Sequence, residues 1–112
     1  MSQYRIMQIN YKRPFYQYVK KAHKPLQLAI EDAVELICQN PEIGKGKVGD
    51  LSGMRVYKFY FNKQEYLIAY SCLFNLHDEE SIDQLDILAI DFYRIGSHQR
   101  FYESLKRYLQ RR

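Results

Sequence analysis

The chemistry open to this chain rests on a short set of side chains. His98 carries an imidazole whose ordinary titration range lies near working pH, so it can hold or give a proton. Tyr102, shortly after it, can stack on a base or take part in proton transfer. Arg55 can hold a phosphate through two parallel hydrogen bonds. Lys45 and Lys47, in a glycine-rich stretch, suit contact with a nucleic-acid backbone rather than bond making. Lys58, Arg94 and Arg100 are further cations that could steady phosphate charge. Tyr57, Tyr60, Tyr66 and Tyr70 are interleaved with these bases, and any exposed ones could stack on nucleotides. Each residue also has a plainer reading. His98 could cap or pack a helix start, and Tyr102 could be a core aromatic. Arg55 could form an ion pair with Asp50. Lys45, Lys47 and Arg100 could be ordinary solvated residues, and most of the tyrosines could fill a core. Cys38 and Cys72 lack metal-binding spacing and read as small core residues, so neither a metal nor any other cofactor is expected.

The charge pattern says what such a set would act on. The net charge is +4, but it comes in blocks. Residues 1–30 carry Arg5, Lys12, Arg13, Lys20, Lys21 and Lys24 and no acid. Residues 94–112 carry six bases against Glu103 alone. Between them, Asp78 to Asp91 holds six acids and no base. Basic ends of this kind favour a polyanion, of which nucleic acid is the commonest. A solvated face tuned for solubility stands beside that reading. No apolar stretch approaches membrane-spanning length and no signal-like run opens the chain, so a cytoplasmic protein with no membrane partner is expected.

The elements that must position these residues follow from periodicity. The 112 residues fit a single domain, residues 1–112. Tyr4 to Ile9 alternates loosely and predicts a first strand. Lys12 to Ala22 predicts a short helix with Phe15, Val19 and Ala22 on one face. Pro25 opens a second helix, in which Leu26, Ala29, Ile30, Ala33, Val34 and Ile37 repeat at helical spacing until Asn40-Pro41 closes it. Ile43 to Gly53 reads as a loop. Met54–Phe61 and Glu65–Leu73 read as a hairpin around Asn62-Lys63-Gln64. Asn75 to Gln84 reads as an extended hairpin loop and Leu85 to Tyr93 as a central strand. Gly96-Ser97 is expected to break that strand before a final helix, from His98 or Gln99 to about Gln110, with Phe101, Leu105 and Tyr108 facing inward. The expected class is α+β, with helices on one face of the sheet.

Three runs resemble the RelE/ParE superfamily of toxins. The first is Asn40-Pro41-Glu42-Ile43-Gly44-Lys45, followed by Gly49-Asp50-Leu51-Ser52-Gly53-Met54-Arg55-Val56-Tyr57. The second, Glu65-Tyr66-Leu67-Ile68-Ala69-Tyr70, is similar to the family's central "YRLxY" strand. The third is Leu88-Ala89-Ile90, followed by Gly96-Ser97-His98-Gln99-Arg100-Phe101-Tyr102, similar to its "GxHxxFY" ending. Together they span roughly residues 20 to 110.

The resemblance implies an N-terminal helical hairpin packed on a twisted, mostly antiparallel four-stranded sheet, with a C-terminal helix. It implies a cognate antitoxin that wraps the toxin, as a monomer or a small complex. For RelE-like members it implies metal-independent cleavage of messenger RNA on the ribosome, a toxin acting as an endoribonuclease (mRNA interferase) that inhibits translation. For ParE-like members it implies inhibition of DNA gyrase without nuclease activity. A non-toxic nucleic-acid-binding module is a third reading. RNA cleavage needs the 2′-OH activated, the leaving 5′-oxygen protonated and the phosphate charge stabilised. His98, Tyr102 and Arg55 are the candidates for that chemistry, and Lys45, Lys47, Lys58, Arg94 and Arg100 for holding RNA or ribosome. One departure stands out: Leu67 occupies the place where RelE-like enzymes often carry Arg.

Overall fold

The structure is a computed structural model that describes residues 4–6, 8–74, 85–98 and 100–111. Its elements run β1 (Tyr4–Ile6), β2 (Ile9–Tyr11), α1 (Arg13–Lys21), α2 (Lys24–Gln39), β3 (Lys45–Gly46), a 3-10 turn (Gly49–Leu51), β4 (Arg55–Phe61), β5 (Gln64–Phe74), β6 (Leu85–Ser97) and α3 (Phe101–Gln110). The α+β class holds, and the details differ from expectation. Among the described residues the sheet has six strands, not four, in the order β1-β6-β5-β4-β3, with β2 also paired to β6. β1 and β2 both run parallel to β6, while β3, β4, β5 and β6 pair antiparallel. The expected first strand is thus two short ones, and the expected loop contains β3. The expected loop at 75–84 lies outside the described residues.

β5 explains the layering. Its residues Tyr66 to Tyr70 are all buried, so both faces of the strand are covered. Tyr66, Ile68 and Tyr70 join a cluster with Phe15 of α1, the apolar stripe of α2 and Ile90 and Phe92 of β6. Leu67 and Ala69 point the other way, into a cluster with Val56, Tyr93 and Phe101 and Leu105 of α3. The three helices therefore do not share one face: α3 covers the side opposite α1 and α2. A helical hairpin is also too simple a description. α1 buries Phe15 alone, so it is held mainly by the sheet. There Phe15 packs against Phe92 at a ring separation of 5.4 Å.

Local chemistry accounts for the joints. Asn62 and Lys63, with φ of 50° and 65°, form the two-residue turn between β4 and β5. His23 caps α2 by accepting from the Leu26 N–H (3.2 Å), a role its place in an interhelix turn did not reveal. Gly96-Ser97 does not break β6, because Leu67 and Tyr66 of β5 pair with them and hold them in the ladder. A register shift opposite Ala69/Tyr70 leaves Tyr93 as the extra residue of a bulge. Tyr93 therefore turns with Arg94 toward the α3 side.

Candidate functional site

β4 decides which of its cations can act together. Lys58 pairs with Leu67 and Arg55 with Tyr70, so the two cations lie on opposite faces, as the alternation requires. Lys58 faces the α3 side. There it lines a cleft of about 370 Å³ with Lys45, Lys47, His98 and Tyr102, and Val56 and Leu67 form its apolar base. Five of the eight residues singled out for chemistry or RNA contact thus meet in one hollow.

Each arrives by a different element. Lys45 sits in β3, paired with Val56. Lys47 is fixed by its backbone N–H, which donates to the Met54 carbonyl (2.9 Å). Its Nζ stands 5.1 Å from the centre of the Tyr102 ring, a cation–π contact. Tyr102 comes from the first turn of α3 and meets His98 edge-on, with ring centres 6.2 Å apart. His98 is exposed at the end of β6, where its carbonyl accepts from the Phe101 N–H (3.3 Å). Lys58 reaches Glu65 at 3.8 Å, a partly exposed pair of the kind that holds little energy. Among the described residues no carboxylate lines the cleft itself, so three ammonium groups set a field that favours an anion.

Arg55 is not in this group. Its guanidinium donates to the carbonyls of Gly44 (2.7 Å) and Glu42 (3.3 Å), so it braces the backbone after α2 rather than facing a phosphate. Its partners are main-chain carbonyls, not Asp50. Tyr70 finishes the same brace. Its hydroxyl donates to the Pro41 carbonyl (2.7 Å) and accepts from the Gly44 N–H (2.8 Å). Burial pushes the Tyr70 phenol up to about 12, against a smaller opposing effect of the Gly44 hydrogen bond.

Arg94 and Arg100 also stand apart. They line a small hollow on the α1 side of α3, with Ser97 and Ser104. Arg94 is half-buried, and desolvation lowers its pKa. Arg13 and Lys21 of α1, which the sequence reading did not single out, line the adjoining hollow with Arg94. Their signal was present: Arg13, Gln17 and Lys21 recur at a spacing of four. Among the described residues no three His, Cys, Asp or Glu side chains gather as metal ligands. Nor is any described helix long and apolar enough to cross a membrane.

Comparison with known proteins gives one finding. The family model for the ParE-like toxin of type II bacterial toxin–antitoxin systems matches residues 9–106, most of the chain. No curated protein and no solved structure is significantly similar.

Proposed function

The chain belongs to the ParE-like toxins of type II bacterial toxin–antitoxin systems, and from that premise we propose that it arrests growth by cutting messenger RNA on the ribosome. Membership implies a cognate antitoxin, which would hold the toxin silent. The observation that supports cleavage is the convergence of Lys45, Lys47 and Lys58 with His98 and Tyr102 around one cleft.

In this reading the lysines hold the scissile phosphate and offset the charge that builds as the 2′-oxygen attacks it. His98, exposed to solvent, exchanges a proton with the 2′-OH or the departing 5′-oxygen. Tyr102 stacks on the flanking base or supplies the second proton-transfer group. The apolar base formed by Val56 and Leu67 gives a nucleobase a surface to rest on.

A second reading has its own support. Leu67 is 2% exposed and stands where RelE-like enzymes often place an Arg, and Arg55 is turned to the other face. A cleft that lacks a guanidinium fits a toxin that binds its target without cutting it, as a gyrase inhibitor does.

Mapping of mRNA 5′ ends after induction, with wild type and with His98→Ala, separates the two. New ends inside translated codons that vanish in the variant support cleavage with His98 in the site. Arrested growth with intact mRNA supports the binding-type reading and returns His98 to a structural role.

A further inference from the structure

We propose that a second anion site, centred on Arg94 and separate from the His98 cleft, holds the phosphate backbone of a single-stranded RNA. The two hollows that meet there share Tyr18 and Arg94 as common walls. Arg13 and Lys21 approach from α1, and Arg100 from the turn before α3. Among the described residues no carboxylate lines either hollow.

Five observations carry the assignment. Arg94 is half-buried on a strand, a costly place for a guanidinium without an anion. Among the described residues no acid stands within ion-pair distance of it. The bulge at Tyr93 sets Arg94 opposite Ala69 on this side; in regular pairing continued from Phe92 and Tyr70 it would stand opposite Ile68 and face the α1–α2 core. Arg100, next to it, takes the left-handed φ of 62°, a conformation that costs a non-glycine residue energy and that collects at binding sites. Ser97, Ser104 and Tyr18 add hydroxyls that can donate to non-bridging phosphate oxygens.

A phosphodiester chain suits the site better than a carboxylate-bearing peptide. The cations are spaced along two adjoining hollows rather than collected at one point, and Tyr18 supplies a ring between them for stacking. The site does not depend on the cleavage proposed above.

The test uses full-length protein and a 2′-O-methyl oligouridine, which has no free 2′-OH and so reports binding without cutting. Fluorescence anisotropy is recorded across a salt series. Arg94→Ala should weaken binding about tenfold and flatten the salt slope by roughly 0.7, the value for one lost single-strand phosphate contact. The exposed pair Lys21→Ala/Arg100→Ala should flatten it by roughly twice that, with the thermal midpoint unchanged. Wild-type affinity and slope in the exposed double variant would overturn the proposal. So would displacement of the RNA by polyglutamate as readily as by unlabelled oligouridine, because the site would then be one for acidic peptide.

Discussion

The Tyr70 hydroxyl closes the turn that follows α2. It accepts from the Gly44 N–H at 2.8 Å and donates to the Pro41 carbonyl at 2.7 Å. The two segments are 26 residues apart in sequence, and the contact is buried. A methyl group at Gly44 would stand 2.6 Å from the phenolic oxygen, so the approach requires glycine. Arg55 adds a second brace to the Gly44 carbonyl. This turn feeds directly into Ile43, Lys45 and Lys47 at the mouth of the cleft.

Tyr70→Phe keeps the ring and removes the oxygen. It should cost about 1–3 kcal/mol, because a buried N–H and a buried carbonyl lose their partner. Gly44→Ala should cost at least as much, since the added carbon meets a side chain packed to zero exposure. Urea unfolding of both variants measures this. A Tyr70→Phe midpoint equal to wild type would mean that the turn holds its shape without the phenol.

Alkaline pH probes the same group from the other side. The Tyr70 phenol is raised from 10.0 to about 12 by burial, and the Cys72 thiol from 9.0 to about 11, also by burial. Acids whose folded pKa is raised stabilise the fold below their unfolded pKa and lose that contribution as pH rises toward the folded value. Stability should therefore be level up to about pH 9 and fall between pH 9 and 12. Tyr70→Phe should remove the part of the fall between pH 10 and 12. Chemical denaturation at stepped pH checks this, and an equally steep fall in the variant would assign the loss to other groups.

Much of this arrangement was legible in the chain. The helical stripe of α2, the hairpin turn at Asn62-Lys63 and the separation of Arg55 from Lys58 all follow from periods of 3.6 and 2. What was hidden depended on long-range pairing. β1 and β2 are three residues each and take their form from β6, not from their own pattern. The path of β6 through Gly96 is set by β5, and the bulge that turns Arg94 outward has no local signature. The placement of α3 on the opposite face was implicit in the unbroken apolar run of β5. Alternation from one-sided burial cannot produce that run. Lys45, Lys47, His98 and Tyr102 were named from residue type and from the family resemblance. Their common cleft is a product of sheet order.

Phe15→Ala should release α1 with limited harm to the rest. Phe15 is the helix's one buried residue, and its ring meets those of Tyr11 and Phe92, which also meet each other. Truncating a buried phenylalanine costs about 3–5 kcal/mol. Hydrogen exchange should show α1 amides losing protection well ahead of those of β5. The variant should also weaken oligouridine binding, because Arg13 and Lys21 leave the Arg94 site with the helix. Uniform loss of protection across the sheet would instead make α1 part of the cooperative core.

Lys58 offers the sharpest separation of catalysis from stability. With Leu67 opposite it, Lys58 is the one cation that the β4–β5 pair delivers to the cleft; Lys45 and Lys47 come from the preceding segment. Its side chain is 55% exposed and its ion pair with Glu65 is loose, so Lys58→Met should change stability by no more than about 0.5 kcal/mol. A hydrogen bond from an ammonium to phosphate is worth about 1.5–3 kcal/mol, and its loss in the transition state alone lowers the rate roughly 10- to 150-fold. Lys58→Met should therefore cut single-turnover cleavage of ribosome-bound mRNA by that factor, with little change in the concentration for half-saturation. Lys58→Arg should keep most of the rate, since it keeps the charge. Full cleavage by Lys58→Met would remove Lys58 from the chemistry and leave the phosphate to the loop lysines. A rate loss matched by lost thermal stability would place its role in folding.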